Sequence, residues 1–364
     1  MKILVDLSVM ELPATGIAKV VSGLYRAVAV RRPDVETRGL HRRPLLSSAP
    51  PGMHTERIAA FLPPSLWRLI AIPRAARHQR DAFIHFPWNG GVPHLPQGTR
   101  IVTTLHDVLP LLIPGFFARE EEERKYRRQR QKDLDRSEVV VTDSEFSKQE
   151  IMRNFRVERA PIVIPCATDI GAHPKEAHQA EYPYFLYAGG LDPRKSVDTL
   201  LSVFLRLATD GDLHSRLIVT GSRRHAPESL ARLLDEGVRS GHVDDRGYVT
   251  DQELARLYAG ALALVYPSRY EGFGMPPLEA MTLGCPVITC RTTSLPEVCG
   301  EAAYYVEPGD RRSLARAFTL IETDPLLRQR LSFEGRKRSA LFSWDGAAAA
   351  FLKALTEFNP PPTH

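Results

Sequence analysis

Short apolar runs alternate with amphipathic stretches along most of the chain. In the second half the runs are four or five residues long, and the stretches between them have the period of a helix. This alternation predicts a parallel sheet that is covered by helices on both faces. We predict strands at 184–188, 217–220, 262–266 and 286–289, with helices at 196–208, 227–239, 252–258 and 277–283.

The first half shows the same pattern less regularly. A helix is expected after Gly16, and the charged stretch 119–136 predicts a second, exposed helix. Residues 166–183 lack periodicity and have the composition of a linker. The short β-branched or aromatic runs predict strands at 3–5, 83–86, 101–105 and 139–142.

Two such halves predict an α/β protein made of two Rossmann-like domains that face a central cleft. We expect a first domain at 1–170 and a second at 171–342. A last helix is predicted at 345–358. We expect the segment 343–364 to cross back and pack on the first domain.

Length and composition are those of an ordinary globular protein. A chain of 364 residues fits about two domains, and 43% hydrophobic with 25% charged residues excludes wholesale disorder. No run approaches the roughly 18 to 20 apolar residues of a transmembrane helix, and the first residues lack the apolar core of a secretory signal. The cysteines have no CxxC spacing, which argues against a disulfide scaffold or a zinc site. We therefore expect a soluble cytoplasmic protein.

The charge is divided unevenly between the halves. Residues 1–165 carry 26 Lys and Arg against 18 Asp and Glu, a net +8, and residues 166–364 carry 22 against 25, a net −3. This asymmetry suggests two modules with different partners. An anionic membrane or a phosphate-bearing substrate suits the basic half. Nucleic acid is not expected as a partner, because no recognition fold or aromatic-interleaved basic strand is visible.

The segment 266–279 has the pattern of a ligand-binding loop. It runs from a predicted strand through Gly272 and Gly274 into a predicted helix, and glycines let backbone N–H groups approach a ligand closely. A helix N-terminus reached in this way suits a diphosphate. Glu271 and Glu279 bracket it, and carboxylates there can accept hydrogen bonds from sugar hydroxyls. A capped structural helix with two solvated acids is the alternative.

These residues resemble the E-x7-E motif of retaining glycosyltransferases of family 4, which have the two-domain GT-B fold. The segments 185–190, 247–249, 280–288 and 294–298 fit the same family, so the likeness covers nearly the whole second half. The resemblance implies that the domain 1–170 binds the acceptor and that the domain 171–342 binds a nucleotide sugar. It further implies that Glu279 binds the ribose of that nucleotide sugar and that Glu271 contacts the donor sugar. It places these further residues at the donor: Gly272, Phe273, Gly274 and Met275.

Arg194 and Lys195 follow the predicted strand 184–188. Two cations at the carboxyl end of a strand would neutralise the charge of a departing diphosphate. A surface pair is the alternative. The resemblance implies that this basic pair holds the donor phosphates and takes part in catalysis.

In the first half, His106 and Asp107 end a predicted strand and precede a Pro-rich loop. An isolated His–Asp pair is often structural, but the resemblance implies that His106 lies in the cleft and contacts the donor sugar. Asp107 would orient His106 or bind an acceptor hydroxyl. Gly16 resembles the family's loop against which the donor diphosphate lies. The segment 143–147 resembles a strand-to-helix step of the family, and we interpret it as structural.

The motifs also limit the mechanism. No DxD-type metal triad stands out, and the GT-B resemblance implies cations and a helix dipole in place of a metal or other cofactor. Retention of configuration fits a front-face displacement or a double displacement through a nucleophile. Because no side chain is an evident nucleophile, we favour the front-face route, in which the leaving phosphate takes the proton of the acceptor hydroxyl.

The segment 65–72, followed by Arg74, Arg77 and Arg80, mixes apolar residues with cations. Pro73 interrupts it, so we expect any amphipathic helix there to be short. Our hypothesis is that this segment and 119–136 contact an anionic membrane that presents a polyprenyl-diphosphate-linked acceptor. The enzyme would then be peripheral at the inner face of the plasma membrane. A core-packing helix with a solvated charged face is the alternative.

We expect a bacterial-type retaining hexosyltransferase that builds a surface polysaccharide such as lipopolysaccharide on a saccharide or lipid-linked acceptor. The form of residues 106–110 looks most like mannosyltransferases, which favours GDP-mannose; a rhamnosyl or glucosyl donor is the alternative. A nucleotide-sugar epimerase is a second enzyme reading, against which the E-x7-E context argues. A degenerate module that binds nucleotide or glycan is the non-enzyme alternative.

Overall fold

The computed structural model describes residues 1–12, 16–77, 79, 82–172, 178, 180–224 and 226–357. They form two compact units. Unit 1 consists of Met1–Ala167 and Phe342–His364, and unit 2 consists of Thr168–Leu341. Each unit contains one sheet in which all described strand pairings are parallel, with helices packed around it. The predicted α/β class with two Rossmann-like halves is confirmed.

Unit 1 has a seven-stranded sheet of order β3-β2-β1-β4-β5-β6-β7. Its strands are β1 (Lys2–Asp6), β2 (Glu36–His41), β3 (His54–Arg57), β4 (Phe83–Phe86), β5 (Arg100–Thr104), β6 (Val139–Thr142) and β7 (Ile162–Val163). The helices between them are α1 (Gly16–Arg31), α2 (Pro64–Arg77), α3 (Glu120–Arg136) and α4 (Glu145–Asn154).

Helix α2 corrects one prediction. It continues through Pro73 for a full 14 residues instead of stopping short. A proline in a helix interior removes a backbone hydrogen bond and costs stability. The helix continues because its apolar face is buried on both sides of the proline, with Trp67 before it and Ala76 after it in one core cluster. Arg80, the last cation of the predicted basic segment, lies outside the described residues.

Unit 2 has a six-stranded sheet of order β10-β9-β8-β11-β12-β13. Its strands are β8 (Tyr184–Ala188), β9 (Arg216–Thr220), β10 (Val243–Gly247), β11 (Ala263–Tyr266), β12 (Val287–Cys290) and β13 (Tyr304–Val306). Its helices are α5 (Val197–Thr209), α6 (Glu228–Arg239), α7 (Asp251–Gly260), α8 (Met275–Leu283), α9 (Leu295–Cys299), α10 (Arg311–Thr323) and α11 (Pro325–Ser339).

The last helix, α12 (Trp344–Glu357), belongs to unit 1, as the predicted crossing of the C-terminal helix requires. It packs along α1. A Cβ at Gly23 of α1 would lie 2.2 Å from the Trp344 ring, so glycine is needed for this approach. Farther along α12, Phe351 contacts the rings of Tyr25 and His85. Phe358, the predicted end of this helix, lies outside the described residues.

Five of the strands that the structure describes were not predicted: β2, β3, β7, β10 and β13. All but β2 lie at sheet edges. An edge strand is covered on fewer sides than a central one, and β3 and β10 are accordingly polar, as in the Val-Asp-Asp-Arg-Gly sequence of β10. The edge strands β7 and β13 are apolar but only two and three residues long. Among the residues described, no helix combines the length and the apolar character needed to cross a membrane.

Candidate active site

The E-x7-E segment lies where the strand order of unit 2 changes direction. From β8 the chain proceeds to β9 on one side of the sheet and later returns to β11 on the other side. The Gly189–Gly190 turn follows β8, and the glycine loop follows β11. Ligands of open α/β sheets bind outside the carboxyl ends of the strands at such a switch point. The fold therefore places the predicted donor loop at the position that suits a ligand.

Glu271 is buried and rigidly held in this loop. Three donors converge on its Oε1 atom: the Tyr266 hydroxyl at 2.7 Å, the Ser268 hydroxyl at 2.8 Å and the Arg194 guanidinium at 2.8 Å. Among the described residues, none donates a hydrogen bond to Oε2. The carboxylate is thus fixed through one oxygen, and the other is left to meet a ligand.

The charge of Glu271 is stabilised in the folded protein. Burial alone would raise the pKa of this carboxyl, but the charges of Lys195 and Arg194 and the two hydroxyl hydrogen bonds outweigh it and lower the pKa. A carboxylate that stays ionised accepts hydrogen bonds and cannot donate a proton. Glu271 is therefore suited to hold a sugar hydroxyl and unsuited to act as a general acid.

Arg194 and Lys195 end up in different surroundings, although they are adjacent. Arg194 donates to the Tyr270 carbonyl at 2.6 Å as well as to Glu271, and the nearby acid raises its pKa despite partial burial. The Lys195 ammonium has no hydrogen bond or ion pair within the described chain, and it lies 5.3 Å from the Tyr266 ring centroid. Burial lowers the pKa of Lys195. Arg194 thus positions Glu271, and Lys195 is the cation with capacity left for an anion.

Two glycines make this geometry possible. Gly189 has a φ of +148°, and a Cβ there would lie 2.8 Å from the Lys195 ammonium. Gly274 caps α8 with a φ of +115°, and a Cβ there would lie 2.9 Å from Leu295. L side chains rarely adopt either conformation. Both turns therefore need glycine.

Ser294 fixes the glycine loop through hydrogen bonds to its backbone. Its hydroxyl lies 2.9 Å from the Glu271 carbonyl and 2.7 Å from the Phe273 carbonyl. Gly272 and Phe273 are buried between these contacts and the start of α8 at Met275. A fixed loop that enters a helix in this way presents the helix N-terminus as an anion site.

Glu279 lies one turn into α8 and is buried. Its Oε2 accepts a hydrogen bond of 3.2 Å from the Tyr258 hydroxyl of α7. The eight-residue separation therefore places one acid at the loop and the other inside the helix that follows. The structure brings Glu271, Gly272, Phe273, Gly274, Met275, Glu279, Arg194 and Lys195 together within unit 2.

His106 lies in unit 1, two residues after β5, and is buried. Its Nδ1 is 2.7 Å from Asp143 Oδ2 and its Nε2 is 3.1 Å from the Pro87 carbonyl. Because both partners are acceptors, the ring is an imidazolium that donates twice. Burial alone would lower the pKa of His106, but the charge and hydrogen bond of Asp143, with the Pro87 carbonyl, raise it to about 9.

The two other predicted residues of unit 1 differ in exposure. Asp107 is half-buried, and its carboxylate accepts a hydrogen bond from the Leu109 amide at 3.1 Å, so it braces the loop after His106. Gly16 is exposed at the start of α1, with open space where a Cβ would be. The predicted donor contacts of His106 and Gly16 and the acceptor contact of Asp107 stay predictions.

Several partners of the site were not predicted. Tyr266 and Ser268 stand five and three positions before Glu271, at the end of a predicted strand, so their hydroxyls could have been suspected. Tyr258 and Ser294 come from neighbouring elements, and only the fold brings them to the glutamates. Asp143 lies in the strand-to-helix step that was interpreted as structural, and its carboxylate also pairs with His106, which was not predicted.

Both halves of the chain match families of known proteins. Residues 14–171 match the family described as Glycosyltransferase Family 4, and residues 171–338 match Glycosyl transferases group 1. The chain is 31% identical to the O-antigen chain mannosyltransferase B of Escherichia coli over 97% of its own length and 99% of the length of that protein.

Solved structures show the same fold. Sucrose-phosphate synthase from Thermosynechococcus elongatus aligns with a TM-score of 0.76 at 21% identity, covering 98% of this chain and 99% of that one. Anabaena Alr3699/HepE in complex with UDP-glucose aligns with a TM-score of 0.73 at 16% identity, covering 98% and 100%. At such identities the likeness concerns the fold. With the nearly full-length relative and the two family matches, it shows that the chain belongs to glycosyltransferase family 4 and is a hexosyltransferase of the GT-B fold.

Proposed function

We propose that the enzyme is a retaining mannosyltransferase that moves mannose from GDP-mannose onto a saccharide or polyprenyl-diphosphate-linked acceptor during synthesis of a surface polysaccharide. The observation that carries the proposal is the Glu271 carboxylate, fixed at Oε1 and open at Oε2, beside the unpaired ammonium of Lys195. The names of the relatives support the choice of sugar, since the Escherichia coli relative is an O-antigen chain mannosyltransferase.

Each group of the loop has a role in this reaction. Oε2 of Glu271 accepts a hydrogen bond from a hydroxyl of the donor mannose, and Glu279 accepts from the ribose. Lys195 and the N-terminus of α8 face the diphosphate, whose negative charge increases as it leaves. The reaction then needs no metal ion for this neutralisation.

The transfer is a front-face displacement. The acceptor oxygen forms a bond to the anomeric carbon on the side from which the bond to the diphosphate oxygen breaks, and that oxygen takes the acceptor proton. Glu271 supports this route because the nearby cations and the hydrogen bonds to Oε1 lower its pKa, and a less basic carboxylate is a weaker nucleophile. Capture of a mannose covalently attached to any side chain would contradict the proposal.

The test is a panel of nucleotide sugars, with released nucleoside diphosphate measured with and without a lipid-linked mannoside. We expect acceptor-dependent release from GDP-mannose, well above that from rhamnosyl and glucosyl donors, and an α-linked product by NMR. Interconversion of the free nucleotide sugar would instead indicate an epimerase. Silence with every donor, despite binding of GDP, would indicate a binding module.

We also propose that unit 1 contacts an anionic membrane through α2 and the residues before it. Phe61, Leu66 and Leu69 are 86%, 44% and 59% exposed, and Arg74 and Arg77 are exposed near them on the same segment. Exposed apolar side chains beside cations are typical of interfacial helices. Helix α3 adds a second basic face, since exposed Arg and Lys recur along it at helical spacing.

Flotation with anionic vesicles at low salt tests the membrane contact. The double variant Leu66→Ser, Leu69→Ser should float several-fold less than the wild type. Leu326→Ser, which changes an exposed leucine of unit 2, is the matched control and should float normally. Equal flotation of all three proteins, or none with the wild type, would rule the contact out.

A further inference from the structure

Unit 1 contains a cavity of about 200 Å³ that none of the predicted donor or acceptor residues lines. It lies at the carboxyl ends of β1 and β2, with Trp88 from the segment after β4. The strand order changes direction between β1 and β4, so the cavity occupies the switch point of this sheet. Its polar side chains are Ser8, Glu11, Arg42, Arg43 and Arg68.

The carboxylates at this cavity already accept hydrogen bonds from other groups of unit 1. Glu11 Oε1 accepts from the amides of Arg42 and Arg43 at 2.5 and 3.0 Å. Asp6, buried just below, accepts from the Ser8 amide at 2.9 Å and from the Trp88 ring nitrogen at 3.3 Å. These acids shape the walls and leave little acceptor capacity for a ligand.

The Trp88 ring is also in contact with neighbouring groups of unit 1. The Arg68 guanidinium lies 4.0 Å from the centroid of the ring, and a Cβ at Gly90 would lie 2.5 Å from its Cζ2 atom. The indole therefore supports Arg68 and offers little free face on which a sugar ring could stack.

The guanidinium groups, in contrast, have donors to spare. Arg68 Nε is buried with no hydrogen-bond partner among the described residues, and its ion pair with Asp6 Oδ2 is long, at 3.7 Å. The same guanidinium donates one hydrogen bond of 3.3 Å to the Ser8 hydroxyl. Burial lowers the pKa of Arg68, although the charges of Asp6 and Glu11 oppose this. Arg43 is exposed and forms no ion pair within the described chain, whereas Arg42 forms a long ion pair of 3.7 Å with Glu11. The cavity thus presents donors and positive charge.

We propose that this cavity binds a phosphate-class oxyanion, supplied by the diphosphate of a lipid-linked acceptor. Guanidinium groups suit phosphate oxygens because they donate several hydrogen bonds in a fixed plane. The volume lies below the roughly 300 Å³ at which pockets for whole small molecules begin, so it fits one charged group and not an oligosaccharide. The source of the phosphate rests on the proposed function, whereas oxyanion binding itself does not.

Calorimetric titration with inorganic pyrophosphate tests the oxyanion site. We expect saturable binding of pyrophosphate. This binding should persist in Lys195→Ala, a variant that removes the cation proposed to face the donor diphosphate in unit 2. Arg43→Gln and Arg68→Gln should each raise the Kd about tenfold, the loss expected for a charge-assisted hydrogen bond. Arg68→Lys, which keeps the charge and most of the packing, should lose less affinity. Arg32→Gln removes an exposed cation elsewhere in unit 1 and should bind as the wild type does.

Kinetics distinguish the sources of the phosphate. With a prenyl-diphosphate-linked mannoside, Arg43→Gln and Arg68→Gln should raise the acceptor KM about tenfold without changing the KM of GDP-mannose. The KM of a neutral methyl mannoside should not change. Absence of pyrophosphate binding, or an equal KM increase for both acceptors, would overturn the proposal. Pyrophosphate binding with an unchanged KM for the diphosphate-linked acceptor would overturn the assigned source. If no donor turns over, the proposed function fails, and the calorimetry still decides the site.

Discussion

The buried pair of His106 and Asp143 should make the stability of the enzyme depend on pH in a way that one substitution removes. The pair is held by a hydrogen bond of 2.7 Å, and it raises the pKa of His106 to about 9 against an ordinary 6.5. In Asp143→Asn the amide keeps the shape but loses the charge. The ring then stays buried without a counter-ion, and we expect it to be neutral at pH 7.

The magnitude follows from the two pKa values. A proton bound more tightly in the folded than in the unfolded protein stabilises the fold, here by about 3 kcal/mol. This stabilisation is fully present below about pH 6.5, declines by about 1.4 kcal/mol per pH unit, and is lost above about pH 9. The difference between wild type and variant should therefore shrink from about 3 kcal/mol at pH 6 to near zero at pH 9.5.

Urea unfolding at several pH values between 6 and 9.5 measures this difference, because titrations common to both proteins cancel. Histidine NMR reports the pKa directly, with His106→Gln identifying the signal. Asp210→Asn, an exposed aspartate at the end of α5, should show no such pH dependence. A difference that stays constant across this range, or a His106 that titrates near pH 6.5, would refute the reasoning.

Three further predictions concern the site and the packing. Glu279→Ala should raise the KM of the nucleotide sugar about tenfold or more, and Lys195→Ala should lower kcat about 10²-fold. Steady-state kinetics measures both effects, and unchanged kinetics in both variants would mean that the site lies elsewhere. Gly23→Ala should destabilise by about 1–3 kcal/mol in urea unfolding, because its Cβ meets the Trp344 ring. Adding Trp344→Leu should recover part of that loss, and no recovery would contradict this contact. Pro73→Ala should stabilise by up to about 3 kcal/mol, and a loss of stability would show that α2 needs the proline.

Central strands could be predicted because their composition reflects complete burial. The strands 83–86, 139–142 and 184–188 were predicted at their observed bounds, and each is an almost continuous apolar run in the interior of its sheet. Edge strands such as β3, with the sequence His-Thr-Glu-Arg, are polar and mostly exposed, so their side chains carry no such signal. Helix α2 was misjudged because a local rule about proline was overridden by packing on either side of it.

The candidate site divides in a similar way. Glu271 and Glu279 could be found because both lie in one continuous loop and helix. The role of Arg194 in positioning Glu271 could not be predicted. Its partners Tyr270 and Glu271 follow more than seventy residues later and come within reach only when β8 and β11 pair. For the same reason Arg68, Trp88 and Asp6 showed no pattern in the sequence, although the fold joins them at one cavity.

Helix α12 has a consequence for how the protein is made. Because it completes unit 1 but is encoded after unit 2, unit 1 is discontinuous in the gene, with unit 2 inserted within it. A ribosome therefore finishes all of unit 2 before Trp344 and Phe351 can close the face of α1. The first domain to begin synthesis is the last to be completed, and during that interval its apolar surface is available to chaperones. A premature stop codon before residue 344 would therefore leave unit 1 incomplete, although most of unit 1 is encoded at the start of the gene.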